Sequence, residues 1–370
     1  MLFRTFPKLP EVELSVFGMG LMRLPRSEQG DIDYNTAGDM VEAALAGGVN
    51  YFDTAWPYHG GQSQEFARDA LKAHYGRIHL ATKLPTWFVN KADDLDYYLD
   101  EQLKILDTDC IEFYLMHGLG DDRWENLQRA GMLEFLDRAV SDGRIKYPCF
   151  SYHGSVGVFE QIIDAYDNWM MAQIMLNYVD QNFQAGVEGM RYADSRNVGI
   201  VVMEPLKGGM LANKLSADVR GLFDAAGVDP VAAAMRWVYD FKEPTVVLSG
   251  VSAPEQLKGQ LEIARGALPG CLSGRERELV EQARGAFELV PCSACRYCQP
   301  CPQDVHIPDI MSWYNDEKVF GNNRHALYMD LAEKGHGADR CIECGACETL
   351  CPQQIGIIQV LKDAHALLTK

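Results

Sequence analysis

Through the first 270 residues, short apolar runs end in a polar or small residue and give way to a loop and then an amphipathic stretch. The runs are Leu14–Gly20, Val49–Asp53, Ile78–Lys83, Ile111–His117, Ile145–Ser151, Met171–Leu176, Ile200–Glu204 and Thr245–Gly250. They are rich in Val, Ile, Leu and aromatic residues, as expected for strands buried on both faces. Between them, Ala92–Leu106 sets Leu95, Leu99, Leu103 and Leu106 at helical spacing. Thr36–Ala46, Gln64–His74, Glu125–Ser141 and Pro230–Asp240 read as helices too, the last opened by Asp229 as N-cap with Pro230 in its first turn. Eight strands, each leading into a helix over about 250 residues, predict an α/β fold, a (β/α)8 TIM barrel. The interval from Asp53 to Lys83 is 30 residues, and those from Lys83 to His117 and from His117 to Ser151 are 34 each. Each interval fits one strand, one helix and two loops. A doubly wound sheet is the rival, but no G-x-G-x-x-G follows the first strand. Leu2–Glu13 is expected to form a hairpin plugging the barrel bottom. Pro148 and Cys149 fall inside the fifth run, where neither is expected.

After Ala267, a Leu-Pro-Gly-Cys-Leu-Ser-Gly stretch reads as a linker, dividing the chain into residues 1–270 and 271–370. The second part is expected to open with a helix over Arg275–Leu289 and to carry two more, Pro308–Tyr314 and Arg324–Lys334. Eight of the eleven cysteines fall within it in two runs. One run is Cys292-Ser-Ala-Cys295-Arg-Tyr-Cys298-Gln-Pro-Cys301 and the other Cys341-Ile-Glu-Cys344-Gly-Ala-Cys347-Glu-Thr-Leu-Cys351. The second run, followed by Pro352, is the C-x2-C-x2-C-x3-C-P pattern that holds a [4Fe–4S] cluster. Three thiolates on a tight loop cap three corners of a cube, and the fourth, before a proline, reaches the other cluster. Two runs therefore imply two cubanes in a smaller, helical, ferredoxin-like iron–sulfur domain. The first run has two residues, not three, before Cys301, which leaves the fourth ligand of each cluster open. Structural zinc would be more sparingly supplied with thiols, and a disulfide framework suits a short secreted chain with a signal peptide, which this sequence does not show. Cys110, Cys149 and Cys271 lie singly and read as packing.

Net charge is −18, which disfavours nucleic acid and anionic membranes as partners. No apolar run reaches membrane-spanning length. A cytoplasmic setting is expected, where thiols stay reduced.

In a barrel of this kind, chemistry gathers at the C-terminal strand ends. Asp53, Lys83, His117, Ser151, Gln173 and Glu204 occupy those ends, with Tyr58 in the loop after Asp53. Any one of them could merely cap a strand, but an ionisable Asp, Lys and His in register beside a Tyr converge too well for that. The segments Asn50-Tyr-Phe-Asp53-Thr-Ala-Trp-Pro-Tyr58, Ala81-Thr-Lys83 and Tyr114-Leu-Met-His117 resemble those of aldo/keto reductases. Tyr58-His-Gly-Gly-Gln-Ser-Gln-Glu-Phe, Phe150-Ser-Tyr-His-Gly154 and the cysteine domain resemble the branch fused to a two-cluster ferredoxin-type domain.

The resemblance implies an oxidoreductase moving hydride between NAD(P)H and a small carbonyl or quinone-like substrate. Tyr58 would be the acid, its pKa of about 10 lowered by Lys83, with Asp53 holding Lys83 and His117 orienting the carbonyl oxygen. It places Gln173 and Ser151 on the nicotinamide amide. Asp53, Gly20, Leu21 and Met22 fall along the cofactor as well, Pro205, Leu206, Lys207, Gly208 and Gly209 over ribose and pyrophosphate, and Ser249 and Gly250 at the last strand's end. Met203 stands where many relatives have an aromatic ring. The Ser249–Gln256 stretch lacks the usual Lys and Arg for a 2′-phosphate, leaving Lys207 or Lys258 to substitute. Trp56, Trp87, Phe88, Tyr152 and His153 are expected around the substrate mouth. Hydride carries two electrons and a cubane one, so a flavin would be needed to join them unless the clusters serve a redox partner protein or only brace the domain. The alternative function is an electron-transfer or redox-sensing protein whose barrel binds a nucleotide or flavin without carbonyl turnover.

Overall fold

The computed structural model describes residues 1–370. Strands β1 (Phe3–Phe6) and β2 (Leu9–Ser15) pair antiparallel as a hairpin. Eight parallel strands follow: β3 (Phe17–Gly20), β4 (Tyr51–Asp53), β5 (His79–Leu84), β6 (Ile111–Leu119), β7 (Ile145–Tyr152), β8 (Met171–Met175), β9 (Gly199–Met203) and β10 (Pro244–Ser249). They hydrogen-bond in chain order, and β10 meets β3 to close a barrel.

The hairpin stoppers the barrel, as its composition suggests. Phe6, Leu9 and Leu14 form one buried cluster with Tyr51, Phe113, Cys149, Val201 and Val246 from inside the barrel. Phe6 lies edge-on to Phe113 at 5.8 Å. It also fills the space where Gly199 would carry a Cβ, which would sit 2.1 Å from the Phe6 ring. Arg4 pins the hairpin by donating to the carbonyls of Tyr239, Phe241, Pro244 and Ala267. Cys149 fills the interior, and β7 runs unbroken through Pro148, which pairs with Tyr114 while its carbonyl accepts from Met170 N at 2.9 Å.

The helix expected over Glu125–Ser141 is two helices, Asp121–Arg129 and Met132–Ser141. Gly131, at φ 75°, takes a left-handed conformation that breaks the run. Past the barrel, helix Gly274–Ala286 starts with a capping box of Ser273 and Glu276. Its Leu279, Val280 and Ala283 pack into the same cluster as the barrel helices. The cysteine-bearing region is helical, with helices Ile307–Phe320, His325–Glu333, Ala346–Leu350 and Ile357–Leu368. It has its own core of Val305, Ile310, Met311, Tyr328, Leu361 and Leu368. Phe320, at the end of its longest helix, crosses to the barrel side and packs 5.4 Å from Phe287. No helix is long and apolar enough to cross a membrane.

Candidate active site and cluster pockets

A cavity of about 870 Å³ opens at the C-terminal strand ends. Its polar floor follows from period-two alternation: in each strand the last inward-pointing position is the one that faces the mouth. Asp53 closes β4 and Lys83 sits next to last in β5; their side chains are 4% and 0% exposed. All three protons of the Lys83 ammonium are engaged. Nζ donates to Asp53 Oδ1 at 2.6 Å, to the Thr54 carbonyl at 2.8 Å and to the Tyr58 hydroxyl at 3.3 Å.

Tyr58 is carried by a tight turn in which His59, Gly60 and Gly61 all have positive φ. The turn is tied down by Leu24 N, which donates to His59 Nε2 at 3.2 Å. His117 in β6 lies edge-on to Tyr58, ring centroids 5.9 Å apart.

Burial sets the protonation states. It pushes the Tyr58 phenol above its ordinary value, and Lys83 pulls it back only in part. Lys83 thus acts in the expected direction, but removal from water outweighs the ammonium and leaves the phenol's pKa raised. Burial also works against the Lys83 charge, but Asp53 and Tyr58 together leave its pKa raised. Burial, then the nearby Lys83 charge, hold His117 down to about 2, so its imidazole is neutral. Three buried polar atoms on this wall have no partner: Asp53 Oδ2, His117 Nδ1 and Gln173 Oε1. An empty apolar pocket would not carry such groups, and a polar ligand would satisfy them.

Most of the residues expected along a cofactor share this cavity. Gly20 and Met22 line it from the end of β3 and the turn after it, Ser151 and Gln173 from β7 and β8. Met203, Pro205, Leu206, Gly208 and Gly209 form one side, Ser249 and Gly250 another. Ser151 Oγ already accepts from Gly118 N at 2.7 Å, which leaves its hydroxyl proton free to donate.

Others are placed elsewhere. Leu21 is fully buried in the hydrophobic core and does not reach the cavity. Lys207, at φ 47°, turns its ammonium away, to Asp180 Oδ2 at 2.7 Å and Asp316 Oδ1 at 3.3 Å. It is thus unavailable to a phosphate, and the exposed Lys258 is not on the wall either. Tyr152 belongs to the core rather than the mouth, its hydroxyl donating to Ser155 O at 2.6 Å. Trp87 sits over His117 at 4.9 Å, while Phe88 and Trp56 pack on Tyr98. His153 lines the cavity. Sequence reasoning missed Arg23, the one guanidinium on this wall, and Glu255 and Glu262 from helix Pro254–Ala264. Arg23 follows Met22 directly and was within reach of the same loop argument.

The cysteines line two small cavities. Cys292, Cys295, Cys298 and Cys351 surround one; Cys301, Cys341, Cys344 and Cys347 surround the other, which Cys298 also lines. Each set joins three thiols of one run to the last thiol of the other, which is a donor set suited to a cubane. The loop of the first run docks on the barrel mouth. Arg296 pairs with Asp121 at 3.2 Å, and Gln184 N donates to Ser293 O at 3.1 Å. Gln184 Oε1 in turn accepts from Nδ1 of the cavity residue His153 at 3.2 Å.

A family model described as the aldo/keto reductase family matches residues 16–269. This chain belongs to the aldo/keto reductase family. A second model, described as a 4Fe-4S dicluster domain, matches residues 291–355, which include all eight clustered cysteines. The uncharacterized oxidoreductase YqkF of Bacillus subtilis is 24% identical over 221 residues, 55% of this chain and 65% of that protein. The aldo-keto reductase YhdN of the same organism is 32% identical over 117 residues, 29% of this chain and 35% of that protein. The chain thus spans less than two thirds of the curated relatives it matches. Among solved structures, the holo form of aldo-keto reductase AKR11C1 from Bacillus halodurans superposes with a TM-score of 0.65 at 22% identity. That match covers 76% of this chain and 96% of the other and speaks for the shared barrel fold.

Proposed function

We propose that this aldo/keto reductase family member transfers hydride between NAD(P)H and a small carbonyl or quinone-like substrate, and that two [4Fe–4S] clusters relay electrons beside it. The observation that carries the reading is Lys83, its three protons shared among Asp53, Thr54 and the Tyr58 hydroxyl at the cavity wall. A bound nicotinamide would supply the hydride. Tyr58 holds the proton that the substrate oxygen needs, and burial keeps that proton on the phenol at rest. Lys83 stabilises the phenolate left behind and returns to its Asp53 pairing. Neutral His117 orients the oxygen by a hydrogen bond without adding charge to a dry pocket. Gln173 and Ser151 offer an acceptor and a donor to a carboxamide. The carboxylates of Glu255 and Glu262 on the outer wall outnumber the single guanidinium of Arg23, and with neither Lys207 nor Lys258 there they favour NAD(H) over its 2′-phosphorylated form.

For the clusters, we assign Cys292, Cys295, Cys298 and Cys351 to one and Cys341, Cys344, Cys347 and Cys301 to the other. The first lies nearer the substrate, by the contact chain His153–Gln184–Ser293. A division near residue 270 separates the two chemistries. A reduced cytoplasmic setting and a one-electron partner protein fit this inventory.

Tyr58→Phe tests it. Nicotinamide oxidation should fall roughly 10²–10⁴-fold, the usual share of a general acid, with iron and sulfide unchanged. Full activity in that variant would remove the assigned acid. The same contact chain favours the second reading, an electron-transfer or redox-sensing role without turnover. Cluster reduction with no nicotinamide consumed across a panel of carbonyls and quinones would select it.

A further inference from the structure

Three side chains that the redox chemistry does not use meet on the surface of the iron–sulfur region. Asp304, His306 and His336 each present a ligand atom, and these atoms lie within 4.8 Å of one another. His336 Nδ1 is 3.0 Å from Asp304 Oδ2. The two imidazole rings stack with centroids 4.4 Å apart and planes inclined by 19°. Asp309 adds a second carboxylate, 3.7 Å from His306 Nδ1.

The backbone assembles this group. Asp304, at φ 54°, donates its N–H to the Cys301 carbonyl at 2.9 Å, closing a tight turn that aims its carboxylate outward. His306 N donates to the His336 carbonyl at 3.1 Å, fixing the two histidines side by side although they lie on separate segments. Without an ion, His336 Nδ1 is held by the Asp304 carboxylate at 3.0 Å and by the Asp304 carbonyl at 3.2 Å, while the two imidazoles stack on each other. Arranged around a cation, the three side chains supply two neutral nitrogens and one negative oxygen.

We propose that Asp304, His306 and His336 form a third metal site, distinct from the two cysteine sets and selective for a divalent ion of the zinc type. Two imidazoles and a carboxylate match the donor preference of Zn²⁺, with nitrogen and oxygen ligands at about 2.0–2.2 Å and water in the fourth position. Hard cations such as Mg²⁺ would find too few oxygens. The partly exposed histidines allow the ion to enter from solvent. Its structural consequence follows from chain position. Asp304 lies shortly after Cys301 and His336 shortly before Cys341, two cysteines that line the same cavity. The ion therefore clamps together the segments that bring Cys301 across to the other run.

The test uses the full chain with both clusters in place under anaerobic conditions. Iron and sulfide are measured before and after treatment with a mild chelator. Zn²⁺ alone is then titrated by calorimetry. One saturable equivalent per chain is expected, with no loss of iron, accompanied by a rise in thermal midpoint. Binding should weaken more than about 100-fold in His306→Gln/His336→Gln, beyond the 10- to 100-fold typical of losing an outer-shell partner. Asp304→Asn, a near-isosteric change on an exposed turn, should weaken it as well with cluster content intact, so folding failure cannot mimic the result. No saturable equivalent in the unaltered chain, or equal uptake by chain and variants, would overturn the site.

Discussion

Replacing Lys83 with Met removes an ammonium from a position with no solvent access while keeping the length of the side chain. The structure allows the cost to be worked out. Three hydrogen bonds disappear, at 2.6, 2.8 and 3.3 Å. Asp53 is left worst placed: its Oδ2 has no partner already, and Oδ1 loses the only one it has. Removing one member of a buried ion pair costs about 3–5 kcal/mol, because the other charge stays behind. That is a large part of the roughly 5–15 kcal/mol that holds most domains folded.

The carboxyl group can escape by taking up a proton, which gives the prediction its sign. In the variant, Asp53 has burial raising its pKa and no ammonium opposing it. The folded state then binds the proton that the unfolded chain has released. Stability should be best near or below the unfolded Asp value of about 3.9 and should fall as pH rises toward the folded value. In the unaltered chain Lys83 opposes the effect of burial on Asp53, so its alkaline loss should be smaller. The assay is urea unfolding of the anaerobic holoprotein at pH 5.5 and 8, followed by intrinsic fluorescence. Asp53→Asn/Lys83→Met should recover part of the loss at pH 8, since no charge remains to bury. A variant within about 0.5 kcal/mol of the parent at pH 8, or a double variant no better than the single one, would refute the reasoning, since surface changes alone fall in that range.

Cys351→Ser should lower occupancy of the cluster held by Cys292, Cys295 and Cys298, and Cys301→Ser that of the cluster held by Cys341, Cys344 and Cys347. Iron content should fall by about half in each, and electron paramagnetic resonance should show different surviving signals; the same signal in both would refute the crossed assignment. His117 stays neutral when folded but takes a proton below about 6.5 when unfolded. It should therefore cost stability as pH falls through that value, and His117→Gln should flatten the acid limb of an unfolding-midpoint curve; parallel curves would sink the claim. Gly199→Ala drives a methyl to 2.1 Å from the Phe6 ring and should cost about 1–3 kcal/mol in urea unfolding, as overpacking does, whereas an unchanged midpoint would show that the hairpin yields freely.

The barrel was legible because its signal is redundant. Eight apolar runs at similar intervals tolerate errors of a few residues at each end, and Val49–Asp53 against the observed Tyr51–Asp53 changes nothing about where Asp53 points. The meeting of Asp53, Lys83 and His117 was legible for the same reason, since strand ends in this fold converge whatever the loops do. What failed was local direction. Tyr152 follows Ser151 in β7, and alternation sends consecutive side chains to opposite faces. Ser151 therefore points to the cavity and Tyr152 to Phe159, 5.1 Å away in the helix layer; period two held that answer in advance. Gly131 was likewise a visible break within a helical run. Lys207 was not readable, because its direction depends on a positive-φ turn and on Asp316, far away in the chain. The crossing of Cys301 and Cys351 was suggested by the prolines that follow them, but the irregular spacing of the first run hid which partner each takes.

The Lys207 bridge makes the two halves of the chain a single article rather than a catalytic cassette with a detachable accessory. Cut the polypeptide ahead of the first cysteine run, and the ammonium keeps Asp180 but forfeits Asp316, while Phe287 loses the cover of Phe320. The turn from Glu204 to Gly209 would then have to find a new resting place just where the cavity needs a firm rim. Engineers grafting this barrel onto other modules would do well to carry the helix Ile307–Phe320 along with it.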